Sequence, residues 1–350
     1  MRVLVAMSGG VDSSVAAALV QEEGHDVIGV TMKMWSGPNG EAPTAGCCTV
    51  ADSEDARRVA AQLDIPYYVL DYTDRFRVGV IDGFVHAYLH GRTPNPCVEC
   101  NRTVKFEHLF AQAAEFDCEM LVTGHYARVR RVGSGYRLFR GVDRAKDQSY
   151  VLSMLDQRRL ERLRFPVGEI EKHETRRIAR RLGLRTAAKP ESMDICFVGR
   201  RDYRQVLREL APVSYRPGPV VDETGSPLGE HAGVATVTIG QRKGLGIAVG
   251  EPRFVVDVDP STATVTVGPR SSLGVSRLDV DTWTWVDRPV PVGSSVEVQY
   301  RAHGHVAPAI LDGSSVRFDE PQVAVAPGQT VALYDGDAVL GSGVITTTHR

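Results

Sequence analysis

Residues 2–14 read RVLVAMSGGVDSS. An apolar run, RVLVAM, stops at a Gly-Gly pair, and SSVAAALVQEEG over 13–24 follows with small and apolar residues at helical spacing. This order predicts a buried strand that turns on glycine straight into a helix. Gly9 and Gly10 let the backbone turn tightly and approach an anion with no Cβ in the way. The helix start offers unpaired N–H groups and the positive end of its dipole. Ser8, Ser13 and Ser14 add hydroxyl donors. Asp12 is a poor neighbour for a phosphate by itself, but can hold a magnesium ion that bridges phosphates. No Lys-Ser/Thr ending follows, so this is not a Walker loop, and the glycine spacing is not GxGxxG.

Working outward, strands and helices alternate over the first 200 residues. VIGVTMKMW (27–35), YYVLDY (67–72) and MLVTGH (120–125) read as strands, SEDARRVAAQL (53–63) and VKFEHLFAQAAEF (104–116) as helices. The expected fold is α/β, with a parallel sheet and crossover helices. After about residue 205 helical periods vanish and Gly/Pro punctuation thickens, as in RPGPVVDETGSPLGEHAG. Short alternating strands such as FVVDVD, TVTVG, SVEVQY and QTVALYDG predict β-barrel or sandwich modules. GPRSSLG, near 270–275, divides them. The expected domains are 1–205, a small β-rich domain over 206–272, and a β-barrel over 273–350.

The chain of 350 residues is 43% hydrophobic and 24% charged, which suits a water-soluble globular protein with a sizeable core. No apolar run reaches the roughly 18 residues of a membrane helix, and MRVLVAMSGG has no signal-peptide pattern. The expectation is a cytoplasmic protein with no membrane partner. Net charge is -2, yet residues 128–146 hold seven Arg or Lys against one Asp, and 157–181 hold nine against four Glu. Such stretches suit either a phosphate-binding surface or a solvated helix face.

Six cysteines stand at 47, 48, 97, 100, 118 and 196. TPNPCVECN (93–101) holds Cys97 and Cys100 as C-x-x-C just before a helix, where a thiol ionises more easily, with Arg102 and Lys105 to help. Cys196 lies far off in ESMDICFVG. Three readings stay open: nucleophilic persulfide and disulfide chemistry, a metal or iron–sulfur site on Cys97, Cys100 and Cys196, and structural zinc with Cys47 and Cys48. Cys47, Cys48 and Cys118 read best as inert thiols.

SGGVDSS resembles the PP-loop of ATP pyrophosphatases, which cleave ATP to AMP and pyrophosphate. Together with TPNPCVECN, TGHYARV, KDQSYVL and ICFVG, in this order, it resembles the tRNA-specific 2-thiouridylase family over nearly the whole chain. That resemblance implies a PP-loop ATP-pyrophosphatase domain, a small central β domain and a carboxy-terminal barrel. It implies ATP-dependent 2-thiolation of the wobble uridine in the tRNAs for Lys, Glu and Gln. ATP would be bound by Ala6, Met7, Ser8, Gly9, Gly10, Val11, Asp12, Ser13, Met32 and Gly124, with magnesium at Asp12. Cys100 matches the nucleophile and Cys196 the cysteine that carries the persulfide, loaded by a cysteine desulfurase or relay protein. Asn95, Pro96 and Cys97 match the segment that meets the target base. His125, Lys146, Asp147, Gln148, Tyr300 and Arg301 match tRNA contacts.

The chain departs from some members, which carry Asp where Cys97 stands and Gln where Thr347 stands. Position 97 is thus an acid/base group, a cluster ligand or a bystander, and an iron–sulfur cluster remains an alternative to the disulfide route. Two rivals are a PP-loop enzyme adenylating another substrate and an RNA-binding metalloprotein with a structural cysteine site.

Overall fold

The structure, a computed structural model, describes residues 1–37, 49–191, 195–199, 201–211 and 215–350. The first seven strands are β1 (Arg2–Ala6), β2 (Asp26–Lys33), β3 (Tyr67–Asp71), β4 (Met120–Thr123), β5 (Ala127–Val132), β6 (Gly135–Arg140) and β7 (Leu163–Arg164). Five of them form a parallel sheet in the order β3-β2-β1-β4-β7. Its central strand is buried on both faces, as a covered parallel sheet requires. Val3, Val5 and Met7 pack with Val15 and Ala16 of α1 (Val11–Glu22) and Val59 of α2 (Val50–Gln62). Leu4, pointing the other way, joins Phe106 and Leu109 of the helix Phe106–Glu115. Chain order reverses at β1, which has β2 on one side and β4 on the other. The crevice beyond the carboxyl ends of β1 and β4 is where such sheets receive ligands, and the Gly-Gly loop and Gly124 both open into it.

Beyond this sheet, β8 (Gly218–Asp222), β9 (Pro227–His231), β10 (Phe254–Asp259) and β11 (Thr264–Gly268) form a four-stranded sheet around Val220, Val255, Val265 and Val267. Then come β12 (Val275–Val280), β13 (Thr284–Trp285), β14 (Ser295–Gln299), β15 (Ala307–Asp312), β16 (Ser315–Gln322), β17 (Thr330–Asp335) and β18 (Ala338–His349). The ladder β12-β16-β15-β14-β17-β18 returns to β12 and closes a six-stranded barrel, which leaves no open edge. The α/β-then-β architecture is the one expected.

The basic run over 128–146 is largely a β-hairpin, β5–β6, which the sequence reading did not separate out. It reaches the barrel by one pairing, Phe139 with Ala338. Its arginines point home as well as outward. Arg128 lies 3.0 Å from Asp337, which Arg144 also holds. Arg140 lies 3.0 Å from Asp147 and 3.7 Å over the Tyr334 ring. In the second basic run Arg164 binds Glu23, Arg181 binds Glu22 and Arg177 binds Glu174. Much of the charge in these two basic runs, which suit either a phosphate-binding surface or a solvated face, is therefore paired within the protein.

The segment before the C-x-x-C is held by two neighbours. Thr93 N–H donates to Pro327 O at 2.8 Å, and Gln329 Nε2 donates to Thr93 O at 2.9 Å. Gly91 lies against Val258 of β10, so close that a Cβ there would stand 3.0 Å from its side chain.

Candidate active site

The phosphate loop leaves β1 with Gly9 at φ +71°, a conformation that favours glycine. A Cβ on Gly9 would stand 2.1 Å from the backbone oxygen of Asp52, so the second reason for glycine is the close approach of α2. Gly10 caps α1 without any side-chain cap bond, leaving the first-turn N–H groups directed at the crevice. Ser14 Oγ returns to Gly10 O at 2.8 Å, and Ser13 Oγ lies 3.1 Å from Ser8 N. Gly124 packs directly on the start of α1: a Cβ there would fall 2.5 Å from Ser13 N. Met7 and Met32 are buried beside the loop, at 2% and 6% exposure.

Two lysines, Lys172 buried and Lys189 half-buried, grip this loop. Lys189 Nζ donates to Gly9 O at 2.9 Å, Asp52 at 2.7 Å and Asp55 at 2.6 Å. Burial lowers its pKa, but those carboxylates outweigh burial and hold it above the ordinary lysine value. Asp52 also closes a capping box with Thr49 at the start of α2. Lys172 Nζ sits 2.7 Å from both oxygens of Asp12. Tyr126 O–H donates to Asp12 Oδ1 at 2.9 Å, and burial, then the Asp12 charge, pushes that phenol well above its usual range. The sequence reading missed Lys172, Lys189 and Tyr126. They lie 160, 180 and 114 positions from their loop partners, and although Tyr126 stands within TGHYARV, nothing local joins any of the three to the loop.

The cysteines expected to act are brought together. Cys97, Cys100 and Cys196 line one cavity of about 60 Å³ with Met34, Phe76, Lys105 and Phe197. Asn95 caps the short helix Pro96–Glu99, its Oδ1 accepting from Cys97 N at 3.1 Å and Val98 N at 3.3 Å. Cys100 then opens a π-helical stretch, Cys100–Lys105, and its sulfur lies 3.9 Å from Met34 Sδ. In an α-helix, residues five apart point about 140° away from each other. The wider π turn brings Cys100 and Lys105 to the same cavity. Arg102 faces out and binds Glu99 at 2.6 Å, so Lys105 is the cation lining the cavity. Cys118 is buried away from this cavity, its thiol pushed up by burial. Cys47 and Cys48 lie outside the described residues.

Among the described residues no three His, Cys, Asp or Glu side chains are grouped so as to hold a metal ion. Cys97, Cys100 and Cys196 line their cavity with no His, Asp or Glu among the other described residues beside them. Nor does Asp12 fit a resident magnesium, because the Lys172 ammonium occupies both of its oxygens.

The residues expected to touch tRNA divide by exposure. Lys146 is on the surface and binds Glu191 at 2.8 Å. Asp147 turns inward, taking Arg140, Gly141 N at 2.9 Å and Ser149 Oγ at 2.8 Å. Gln148 Oε1 accepts from Tyr126 N at 2.9 Å. His125 is packed between Phe106 and Phe165, with Nδ1 2.7 Å from Thr123 Oγ1. Burial, then the charge of Lys105, pushes its pKa down to about 3. Tyr300 is 1% exposed inside the barrel, its hydroxyl 3.2 Å from Gln322, whereas Arg301 and Thr347 are exposed.

An anion loop at the switch point of a parallel sheet, beside a cavity of thiols, defines a nucleotide-using α/β enzyme equipped for sulfur chemistry. Family models described as "tRNA methyl transferase HUP domain", "tRNA methyl transferase PRC-barrel domain" and "Aminomethyltransferase beta-barrel domain" match residues 1–200, 204–269 and 275–345. A tRNA-specific 2-thiouridylase MnmA from Herpetosiphon aurantiacus is 47% identical over 99% of this chain and 98% of its own. One from Chloroflexus aggregans is 48% identical over 98% of each. One from Carboxydothermus hydrogenoformans is 47% identical over 98% of this chain and 97% of its own. The chain belongs to the tRNA-specific 2-thiouridylase family. Among the described residues no helix is long and apolar enough to cross a membrane.

Proposed function

We propose that this chain is a tRNA-uridine 2-sulfurtransferase that spends ATP to AMP and pyrophosphate. The observation that carries this reading is the meeting of Cys97, Cys100 and Cys196 on one cavity, next to a loop built for phosphate. The full-length relatives at 47–48% identity support it, and the acceptors we assign, from the motif resemblance alone, are the wobble uridines of the tRNAs for Lys, Glu and Gln. ATP lays its phosphates on the N–H groups of Gly9 to Ser13. Magnesium would enter with the nucleotide, screening phosphate charge.

A stacked uridine cannot reach this crevice, so it is splayed out of the loop. Asn95 to Cys97, the half-exposed Lys146 and the exposed Arg301 are the chain's means of receiving the RNA. The C2 oxygen of the base bonds to the α-phosphorus as the bond to pyrophosphate breaks. The terminal sulfur of a Cys196 persulfide, loaded by a desulfurase or relay protein, then bonds to C2, and AMP leaves with the oxygen. The Cys100 thiolate attacks Sγ of Cys196. A Cys100–Cys196 disulfide forms, the sulfur stays on the base, and an external thiol reductant returns the two electrons.

The test is nucleoside mass spectrometry of unmodified tRNA after incubation with the protein, ATP, magnesium and a persulfide donor. ATP-dependent 2-thiouridine at the wobble position is the expected product. A folded protein that yields neither thiolated base nor pyrophosphate overturns the reading.

A further inference from the structure

The carboxylate of Asp12 stands on the first turn of α1, where an incoming nucleotide must place its negative charge. Left bare, it would repel phosphate. It is not bare, because Lys172 Nζ lies 2.7 Å from each of its oxygens on a side chain only 11% exposed. We propose that Lys172 is the phosphate-side cation of this enzyme, held by Asp12 in the place a metal would take, and that its ammonium receives the pyrophosphate end of ATP. This rests on the ATP reading above.

The surroundings fit that role. The groups facing Lys172 are Asp12, Glu191 at 3.8 Å, the Tyr126 ring at 5.4 Å and Asp143, which accepts from the Lys172 backbone N–H at 3.0 Å. Glu191 is itself bound by Lys146 at 2.8 Å. An ammonium has three donors. Two serve Asp12, and Glu191 lies beyond hydrogen-bond distance of the third. One N–H is therefore left for a ligand in a mostly buried setting, where a charge-assisted bond is strong.

Position selects the far end of the nucleotide. The thiols pack into the core layer on one face of the parallel sheet, with Phe76 and Phe197. Tyr126 and the helix Lys172–Arg181, through Ile178 and Ala179, pack on the other face with α1. The α-phosphorus must lie toward the thiols for sulfur to replace the activated oxygen. The leaving pyrophosphate then points toward Lys172, which stabilises the charge released when the bond breaks.

The test is calorimetric binding of pyrophosphate and of AMP to the full chain in EDTA, for wild type, Lys172→Met, Lys172→Arg and the uncharged pair Asp12→Asn/Lys172→Met. Lys172→Met should weaken pyrophosphate roughly tenfold to a hundredfold, the range for a hydrogen bond to a charged group, and leave AMP unmoved. Lys172→Arg should restore most of the affinity. If the single variant melts early, the uncharged pair, free of an unpaired Asp12, carries the comparison, and its pyrophosphate affinity should still be low. Equal weakening of AMP and pyrophosphate would assign Lys172 a purely structural part and overturn the proposal, as would wild-type pyrophosphate affinity in either variant. A wild-type protein that binds neither ligand overturns this proposal and the ATP reading together. Selective loss of pyrophosphate in a protein that forms no 2-thiouridine leaves the assignment standing and removes only the thiolation reading.

Discussion

Lys189 donates to the carbonyl oxygen of Gly9 at 2.9 Å. This bond ties the phosphate loop to the chain segment that reaches Cys196 seven residues later. It also orders the two halves of the chemistry, because the nucleotide loop and the sulfur-bearing segment share one anchor. Replacing Lys189 with Met leaves Gly9 O without that donor and removes the cation from Asp52 and Asp55. The expected cost is about 1–3 kcal/mol of stability in urea unfolding, with weaker ATP binding by calorimetry. Because folding raises this pKa, the Lys189 contribution is complete below the ordinary lysine value and fades as pH rises through the folded one.

Gly9→Ala and Gly124→Ala should both abolish ATP binding while the protein still melts cooperatively. A Cβ at 2.1 Å from Asp52 O or 2.5 Å from Ser13 N meets backbone, not a side chain that can swing away. Gly24→Ala is the control: it too has positive φ, +83°, but nothing lies within 4 Å of the added carbon. It should cost only about 1–2 kcal/mol of backbone strain and leave ATP binding intact.

His125 supplies a pH signature. Its folded pKa is pushed down to about 3 from 6.5, so between those values the unfolded chain binds a proton that the folded one refuses. Stability therefore rises with pH across this window and is lost as pH falls from about 6.5 toward 3. One proton corresponds to a slope of at most about 1.4 kcal/mol per pH unit. Urea unfolding of His125→Gln from pH 4 to 7 should show that slope reduced.

Cys100→Ser should stop 2-thiouridine formation and leave pyrophosphate release on adding tRNA and ATP. Cys196→Ser should do the same and also lose persulfide loading, read by alkylation and mass spectrometry. Cys118→Ala should leave all three readouts near wild type, since that thiol lies apart from the cavity.

Gln329→Leu should loosen the sulfur site from outside it. The barrel holds Thr93 O through Gln329 Nε2 at 2.9 Å. Without that bond, amide exchange over 93–100 should quicken and thiolation should slow, with ATP affinity unchanged.

The phosphate loop was legible in the sequence because its chemistry is local: strand, two glycines and helix start are consecutive. The α/β-to-β change was legible because periodicity and Gly/Pro density shift together along the chain, although the helix Tyr203–Leu210 runs past the expected point near 205. The hairpin of β5 and β6 was hidden beneath its own charge, although ARVRRV and GYRLFR flank a Gly-Ser turn at 133–134. Lys172 and Lys189 were not legible, since each acquires its meaning from a carboxylate or carbonyl on a distant element. Arg102 looked as useful as Lys105 in the string. Only the helical phase separates them, and tertiary packing sets that phase.

The π-helical stretch Cys100–Lys105 makes that phase a matter of counting. Each residue of an α-helix advances the direction of its side chain by about 100°. A π turn takes in one residue more than an α turn, so the six steps from Cys100 to Phe106 sweep nearly the same angle as five α-helical steps. Removing one of the intervening residues would therefore leave Cys97 and Cys100 aimed much as they are. The extra residue is thus absorbed within a single turn: a one-residue deletion there that spares Cys100 and Lys105 should leave thiolation standing where a cysteine substitution ends it.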